Sequence, residues 1–325
     1  MSRLIIHIGA PKTGTTAIQS HLYRNQDALR NQSVNYTVTQ RNHIAHNILP
    51  RVIRKGSGPA YFEDLVNEIQ QSPADSHIIS SEMLFNPEIA RRMCQLAADH
   101  LPQDILKNTK IICYLRRHDQ FLESLYKQFV KRGKIPADPP EFLEQQLSKL
   151  SYQRVLSTYG DVFGQDNVVI RPFDRAKLEG GDVVQDFFSC LGLPKSGSDP
   201  AAESGEINPT LSAEISEQIG YMALHAGFNP RELIRAVIAL GDQNAFRKND
   251  VFDGDDQRRI AAHFAEDEAA LCAWTGSTAT QFFDHDDLDC KVTPPISLLE
   301  QHNRWARASE IVAKAVCICL KRSDA

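Results

Sequence analysis

The chain has 325 residues, 42% of them hydrophobic and 24% charged, with a net charge of −5 at pH 7. That length suits one large α/β domain or a core with a helical extension, and the composition supplies material for a sizeable buried core. The acidic balance argues against a nucleic-acid binder, which needs a basic surface, and no run of about 18 apolar residues is present to span a membrane. The N-terminal MSRLIIHIGAPKTG carries an apolar run too short for a secretory leader. The seven cysteines (Cys94, Cys113, Cys190, Cys272, Cys290, Cys317 and Cys319) are irregularly spaced. They read as small apolar side chains in a reducing, cytoplasmic setting.

In chain order, Arg3–Ile8 is apolar and β-branched, which predicts a buried strand. Gly9–Gly14 is a loop, and Thr15–Arg30 a helix with Ile18, Leu22 and Leu29 on one face. A short strand is expected over Val34–Val38, and helices over Ile44–Ile53 and Tyr61–Gln70. His77–Ser80 reads as a second core strand, followed by a helix over Pro87–His100. Lys110–Leu115 is a third, leading into a helix over Asp119–Lys131, and Val168–Arg171 a fourth. Strands alternating with helices predict a parallel β-sheet flanked by helices, an α/β fold of P-loop-like type. Lys195–Asn208, rich in Ser, Gly, Pro and Ala, reads as a linker. Beyond it only helical periodicity is found, near Leu211–His225, Pro230–Leu240, Asp255–Trp274 and Pro295–Leu320. The expected organisation is therefore a core over 1–195 and a C-terminal helical extension over 196–325 that completes or caps it.

Two strand-to-helix junctions carry chemistry. The first is HIGAPKTGTT, His7–Thr16. A helix start presents unpaired backbone N–H groups and the positive end of the helix dipole, a ready anion site. Gly9 and Gly14 have the spacing of the nucleoside-triphosphate P-loop, but residue 15 is Thr, and the lysine lies inside the loop at position 12. No acidic residue at a strand end makes a persuasive metal ligand, so a magnesium-dependent nucleotide kinase or NTPase is the weaker alternative. Instead PKTGTT, Pro11–Thr16, resembles the 5′-phosphosulfate loop of the sulfotransferase family. The resemblance implies that Pro11, Lys12, Thr13, Gly14, Thr15 and Thr16 bind the 5′ end of 3′-phosphoadenosine-5′-phosphosulfate (PAPS). It further implies that Lys12 acts on the bridging oxygen, where negative charge grows as the S–O bond breaks.

The second junction is IICYLRRHDQFLESLYKQF, Ile111–Phe129. Ser124 follows Arg116 by eight residues, a separation at which the sulfotransferase family carries an Arg and a Ser that bind the 3′-phosphate. An Arg at a strand's carboxyl end can also bind phosphate through two parallel hydrogen bonds. Arg117 and His118 add to the positive field; His118 stands where many of these enzymes have proline. Asn167–Pro194 resembles the later core of bacterial members, and Phe246–Asp250 (FRKND) resembles the Arg-Lys-Gly cofactor loop of cytosolic sulfotransferases, with Asn249 in place of Gly.

Transfer to a hydroxyl needs a proton acceptor. Glu82, in HIISSEMLF, follows a core strand at the sheet's carboxyl edge and is the first candidate. His43 and His46, three apart on one expected helix face, are the second, with His46 as the base. His7 lies inside the first strand and is expected to pack or hydrogen-bond in the core. The sequence thus points to a PAPS-dependent sulfotransferase acting without a required metal on a hydroxyl or amine of a small-molecule or glycan acceptor. A non-catalytic nucleotide-binding member of the same fold is a further alternative.

Overall fold

A computed structural model describes residues 2–134, 138–195, 210–247, 251–285 and 297–323. Five strands form one sheet in the order β2-β3-β1-β4-β5: β1 (Arg3–Gly9), β2 (Val34–Tyr36), β3 (Ser76–Ser80), β4 (Lys110–Leu115) and β5 (Val168–Pro172). Every pairing is parallel, so the α/β sheet expected from the alternating pattern is present. Its central strands are apolar on both faces because helices cover both. Ile5, Ile78, Ile112 and Tyr114 pack with Ile18 and Leu22 of helix Thr15–Arg24 and with Val184, Phe187 and Phe188 of helix Val183–Cys190. Helix Tyr152–Phe163 packs on β4 and β5 and against helix Pro87–His100.

Most predicted elements fall where the patterns put them, with two differences near the site. Helix Thr15–Arg24 ends at Asn25, whose side chain donates to the carbonyl of His21 at 3.0 Å, and a separate turn of helix follows over Gln26–Arg30. The helix expected over Ile44–Ile53 begins only at Leu49. Before it, Asn42 and Ala45 form a tight turn with His43 in the left-handed region (φ 58°), so His43 and His46 do not share a helix face.

The chain divides into two compact units: residues 1–117, 151–203 and 266–284 in the first, and 118–150, 204–265 and 285–325 in the second. The first holds the whole sheet. In the second, helices Ala213–His225, Pro230–Leu240 and Leu298–Ser323 share an apolar cluster that includes Ile215, Ile219, Val237, Ile311 and Ala315. The apolar run at 311–320 is thus a packed helix face, although Cys317 is exposed rather than buried. Among the described residues no helix is long and apolar enough to cross a membrane. Most of the expected linker (196–208) and Cys290 lie outside the described residues.

Candidate functional site

Winding from β1 runs through β2 and β3 on one side and β4 and β5 on the other, so the direction of the sheet switches at β1. In an open α/β sheet the crevice beyond the carboxyl ends at such a point is where ligands bind. Three of the sequence-derived sites follow the three central strands of this edge: the 9–16 loop after β1, Glu82 after β3 and Arg116 after β4.

The loop is pinned at several points. The N–H of Ala10 donates to the Tyr114 carbonyl at 2.8 Å, tying the loop to β4. Thr13 is fully buried and its hydroxyl donates to the Ala10 carbonyl at 2.6 Å. That hydroxyl therefore closes the turn within the loop. Lys12, at the outer point of the turn, has φ 70°, a left-handed conformation that a lysine adopts only when its surroundings impose it. Gly14 caps the helix with φ 75°. A Cβ there would lie 2.9 Å from Val183 Cγ1 and 3.0 Å from Phe173 Cε2, so only glycine fits. The helix start has no side-chain cap, and the carbonyl of Gly14 accepts from Ala17 and Ile18. Neither Thr15 nor Thr16 is the cap residue: Thr15 is buried and Thr16 exposed.

Glu82 comes close to this loop because Gly9 lacks a side chain. A Cβ built on Gly9 would meet Glu82 Cα and Cβ at 3.0 Å each. Glu82 is half-buried at the start of a short 3₁₀ turn, Glu82–Phe85, whose preceding residue Ser81 donates its backbone N–H to the carbonyl of His7 at 3.0 Å. Gln19, on the first helix, brings its Nε2 to 3.4 Å from Glu82 Oε2 and 3.2 Å from Ser80 Oγ.

His46 occupies a different environment. It is fully buried; its Nδ1 accepts the backbone N–H of Ser80 at 3.1 Å, and its Nε2 lies 2.9 Å from Thr37 Oγ1 and 3.0 Å from the Thr37 carbonyl. Burial lowers its pKa to about 4. Both ring nitrogens are engaged, so in this arrangement His46 braces the end of β3 against the segment after β2. His43 is exposed and stacks on Tyr23 with ring centroids 5.5 Å apart.

Arg116 is half-buried at the end of β4, and its carbonyl accepts from the Tyr152 hydroxyl at 2.9 Å. Arg117 is 6% exposed, with Nη1 on the Asp284 carbonyl at 2.5 Å. The neighbouring end of β5 is fixed by Asp186, which takes Arg171 (3.0 and 2.5 Å), the Tyr114 hydroxyl (2.8 Å) and the Glu179 N–H (2.9 Å).

Within the second unit, Ser124 is half-buried on helix His118–Val130. That helix is held there by His118 stacked on Phe264 at 4.1 Å, by the Tyr126 hydroxyl on Glu217 at 3.2 Å, and by Lys127, which pairs with Glu123 at 3.0 Å. Arg247, at the start of the FRKND stretch, pairs with Glu214 at 3.2 Å; Lys248–Asp250 lie outside the described residues.

Sequence reasoning missed Gln19, Ser80 and Tyr152 at this edge. Gln19 lies four residues after Thr15, a polar side chain on the buried face of an amphipathic helix, and that mismatch was its available signal. Nothing local marks Tyr152, which reaches Arg116 across 36 residues.

No protein-family model matches the chain. An uncharacterized protein of Archaeoglobus fulgidus is 34% identical over 109 residues, 33% of this chain and 28% of that protein. The chain therefore spans little more than a quarter of that relative's length. Two of the solved structures to which it is similar are sulfotransferases. One is from Alicyclobacillus acidocaldarius, with TM-score 0.45 and 14% identity, covering 84% of this chain and 96% of that one. Another is a mouse sulfotransferase complexed with PAP, with TM-score 0.41 and 15% identity, covering 85% of this chain and 89% of that one.

Proposed function

We propose that this chain transfers the sulfuryl group of PAPS to a hydroxyl or amine acceptor, with carbohydrates as the first acceptor class to test. The observation that carries this reading is the position of Lys12: a cation inside the loop, held at φ 70° one turn before a helix start, with Glu82 beside the same loop through Gly9. Backbone N–H groups of residues 12 to 16 and the Thr16 hydroxyl hold the 5′-phosphosulfate. As the bond from sulfur to the bridging oxygen breaks, its electron pair stays on the leaving phosphate, and the Lys12 ammonium stabilises that charge. The acceptor oxygen forms the new bond to sulfur and its proton passes to the Glu82 carboxylate. The roles of Arg116 and Ser124 in holding the 3′-phosphate rest on their sequence spacing.

Calorimetric titration of 3′-phosphoadenosine-5′-phosphate, and of ATP with magnesium, into wild type, Lys12→Ala and Arg116→Ala tests the reading. Metal-independent binding of the bisphosphate, weakened about 10- to 100-fold in Arg116→Ala by loss of a charged contact of ~1.5–3 kcal/mol, is the expected outcome. Absence of bisphosphate binding together with magnesium-dependent ATP binding would replace it with a nucleotide kinase or NTPase. Bisphosphate binding without sulfuryl transfer to any member of a sugar, phenol and amine panel would leave a non-catalytic nucleotide-binding protein.

A further inference from the structure

We infer that Gln19 is a positioning residue for Glu82, aiming its carboxylate through a hydrogen-bond chain that begins at His7 and passes through Ser80. The inference rests on the reading of Glu82 as the base. The chain lies within the first unit and joins β1, β3 and the first helix. His7 Nδ1 is 2.8 Å from Ser80 Oγ, Ser80 Oγ is 3.2 Å from Gln19 Nε2, and Gln19 Nε2 is 3.4 Å from Glu82 Oε2. His7 and Ser80 are fully buried and Gln19 is 2% exposed, so the first three members are shielded from competing water.

The direction of each bond follows from the chemistry of the groups. Burial lowers the His7 pKa to about 3, so its imidazole is neutral and one ring nitrogen is an acceptor. The fully buried Ser80 hydroxyl needs an acceptor for its proton, and His7 Nδ1 is in reach. That donation leaves the Ser80 oxygen lone pairs facing Gln19. An acceptor on that side selects the amide orientation in which the NH₂ group faces Ser80, and the same NH₂ group then faces Glu82. The opposite orientation would set the amide oxygen against a carboxylate. The chain thus presents a donor to Glu82 Oε2 and leaves Oε1 for the acceptor's proton. His7 is left with Nε2 unpartnered among the described residues, in edge contact with Phe187 at 5.5 Å and Tyr114 at 6.1 Å. An unsatisfied buried nitrogen costs roughly 1–3 kcal/mol. A valine or isoleucine in β1 would avoid that cost, which points to a use for the imidazole beyond packing.

The experiment measures turnover of PAPS carrying radiolabelled sulfate, with water and a mixture of hydroxyl-bearing sugars as acceptors, alongside bisphosphate affinity and thermal melting. Gln19→Met keeps the side-chain volume and removes the amide. In the wild-type background it is expected to lower kcat roughly 10- to 100-fold, the order of loss that accompanies misplacement of a reacting group by up to an ångström. The KM for PAPS and the bisphosphate affinity stay unchanged. In the Glu82→Gln background the same substitution is expected to change nothing further, because the group it aims is gone. Wild-type kcat in Gln19→Met, or an equal loss in both backgrounds, overturns the inference and leaves the residue purely structural. Wild-type turnover in Glu82→Gln, or no turnover by the wild type, overturns the reading of Glu82 itself and this inference with it. Where Gln19→Met fails to fold, Ser80→Ala takes its place under the same two-background criterion.

Discussion

The close approach of Glu82 to the loop depends on the missing side chain of Gly9, and Gly9→Ala measures that dependence. The substitution has two costs. A non-glycine residue in the left-handed half of backbone space costs roughly 1–2 kcal/mol, and Gly9 has φ 90°. The added methyl would also lie 3.0 Å from Glu82 Cα and Cβ, inside van der Waals contact. Because one of those atoms is backbone, relief requires the start of the 3₁₀ turn to move, and overpacking of this kind costs roughly 1–3 kcal/mol. The sum is about 2–5 kcal/mol. Gly56 isolates the first cost: it has φ 80° and nothing within 4 Å of its built Cβ, so Gly56→Ala should lose only about 1–2 kcal/mol. Urea unfolding of the three proteins, with midpoints compared at constant slope, gives the difference directly. Turnover should separate them further, with Gly56→Ala unaffected and Gly9→Ala down roughly 10- to 100-fold through displacement of Glu82. Equal destabilisation by the two substitutions would refute the reasoning, since it would mean that no Glu82 contact limits residue 9.

Acid should destabilise the first unit through its buried histidines. Burial lowers His7 to about 3 and His46 to about 4, below the 6.5 of an unfolded histidine. The folded form therefore binds fewer protons than the unfolded form below about pH 6.5, so stability is full above that pH and falls by ~1.4 kcal/mol per pH unit per histidine on going down. From pH 7 to 5 the two together remove roughly 4 kcal/mol, and His77, shifted the same way by burial, adds to the slope. In urea unfolding across that range His46→Gln should reduce the slope by about 1.4 kcal/mol per pH unit, and an unchanged slope would show that His46 does not titrate in this way. Asp186 is 1% exposed and holds Arg171, the Tyr114 hydroxyl and the Glu179 N–H. Asp186→Ala removes the anion from a guanidinium that is 34% exposed and keeps its bond to the Lys177 carbonyl, so it should cost about 1.5–3 kcal/mol in the same assay; a loss below about 1 kcal/mol would show the cluster to be dispensable.

The sheet was legible in the sequence because its evidence is local. β1, β3 and β4 are short β-branched segments that end at a glycine loop, a serine pair and an arginine pair, and each keeps its expected place within a residue. The first motif was legible for the same reason, since Gly9, Lys12 and Gly14 lie within six residues and their spacing carries the turn. What the sequence could not show were the partners that individual side chains would find. The spacing to Ser124 singled out Arg116, but nothing marked the Asp284 carbonyl that takes Arg117 from 167 residues away. His43 and His46 fit a helical spacing, and the pattern gave no sign that His43 would turn left-handed or that His46 would be taken up by Ser80 and Thr37. Thr13 counted only as one residue of the loop, and nothing in the sequence showed that its hydroxyl closes on the Ala10 carbonyl. In each case the deciding partner is a backbone group, and backbone groups leave no mark on residue identity.

Thr15 shows how the fold and the chemistry constrain each other at this loop. In the nucleoside-triphosphate P-loop this position is a lysine; here it is a threonine 5% exposed at the first residue of a helix packed against the sheet. An ammonium at that place would lose most of its hydration, at a cost of several kcal/mol unless a fixed anion met it. The packing of the first helix thus disfavours a cation at its start. Position 12 lies at the outer point of the turn, where the backbone bends left-handed and the side chain is only half-buried. Moving the lysine there places its charge ahead of the helix rather than along it. On the proposed reading, that charge serves the oxygen bridging phosphate and sulfur, whereas a lysine at the helix start serves the β and γ phosphates of a triphosphate. The same packing that buries Thr15 therefore bears on where this loop can carry its charge.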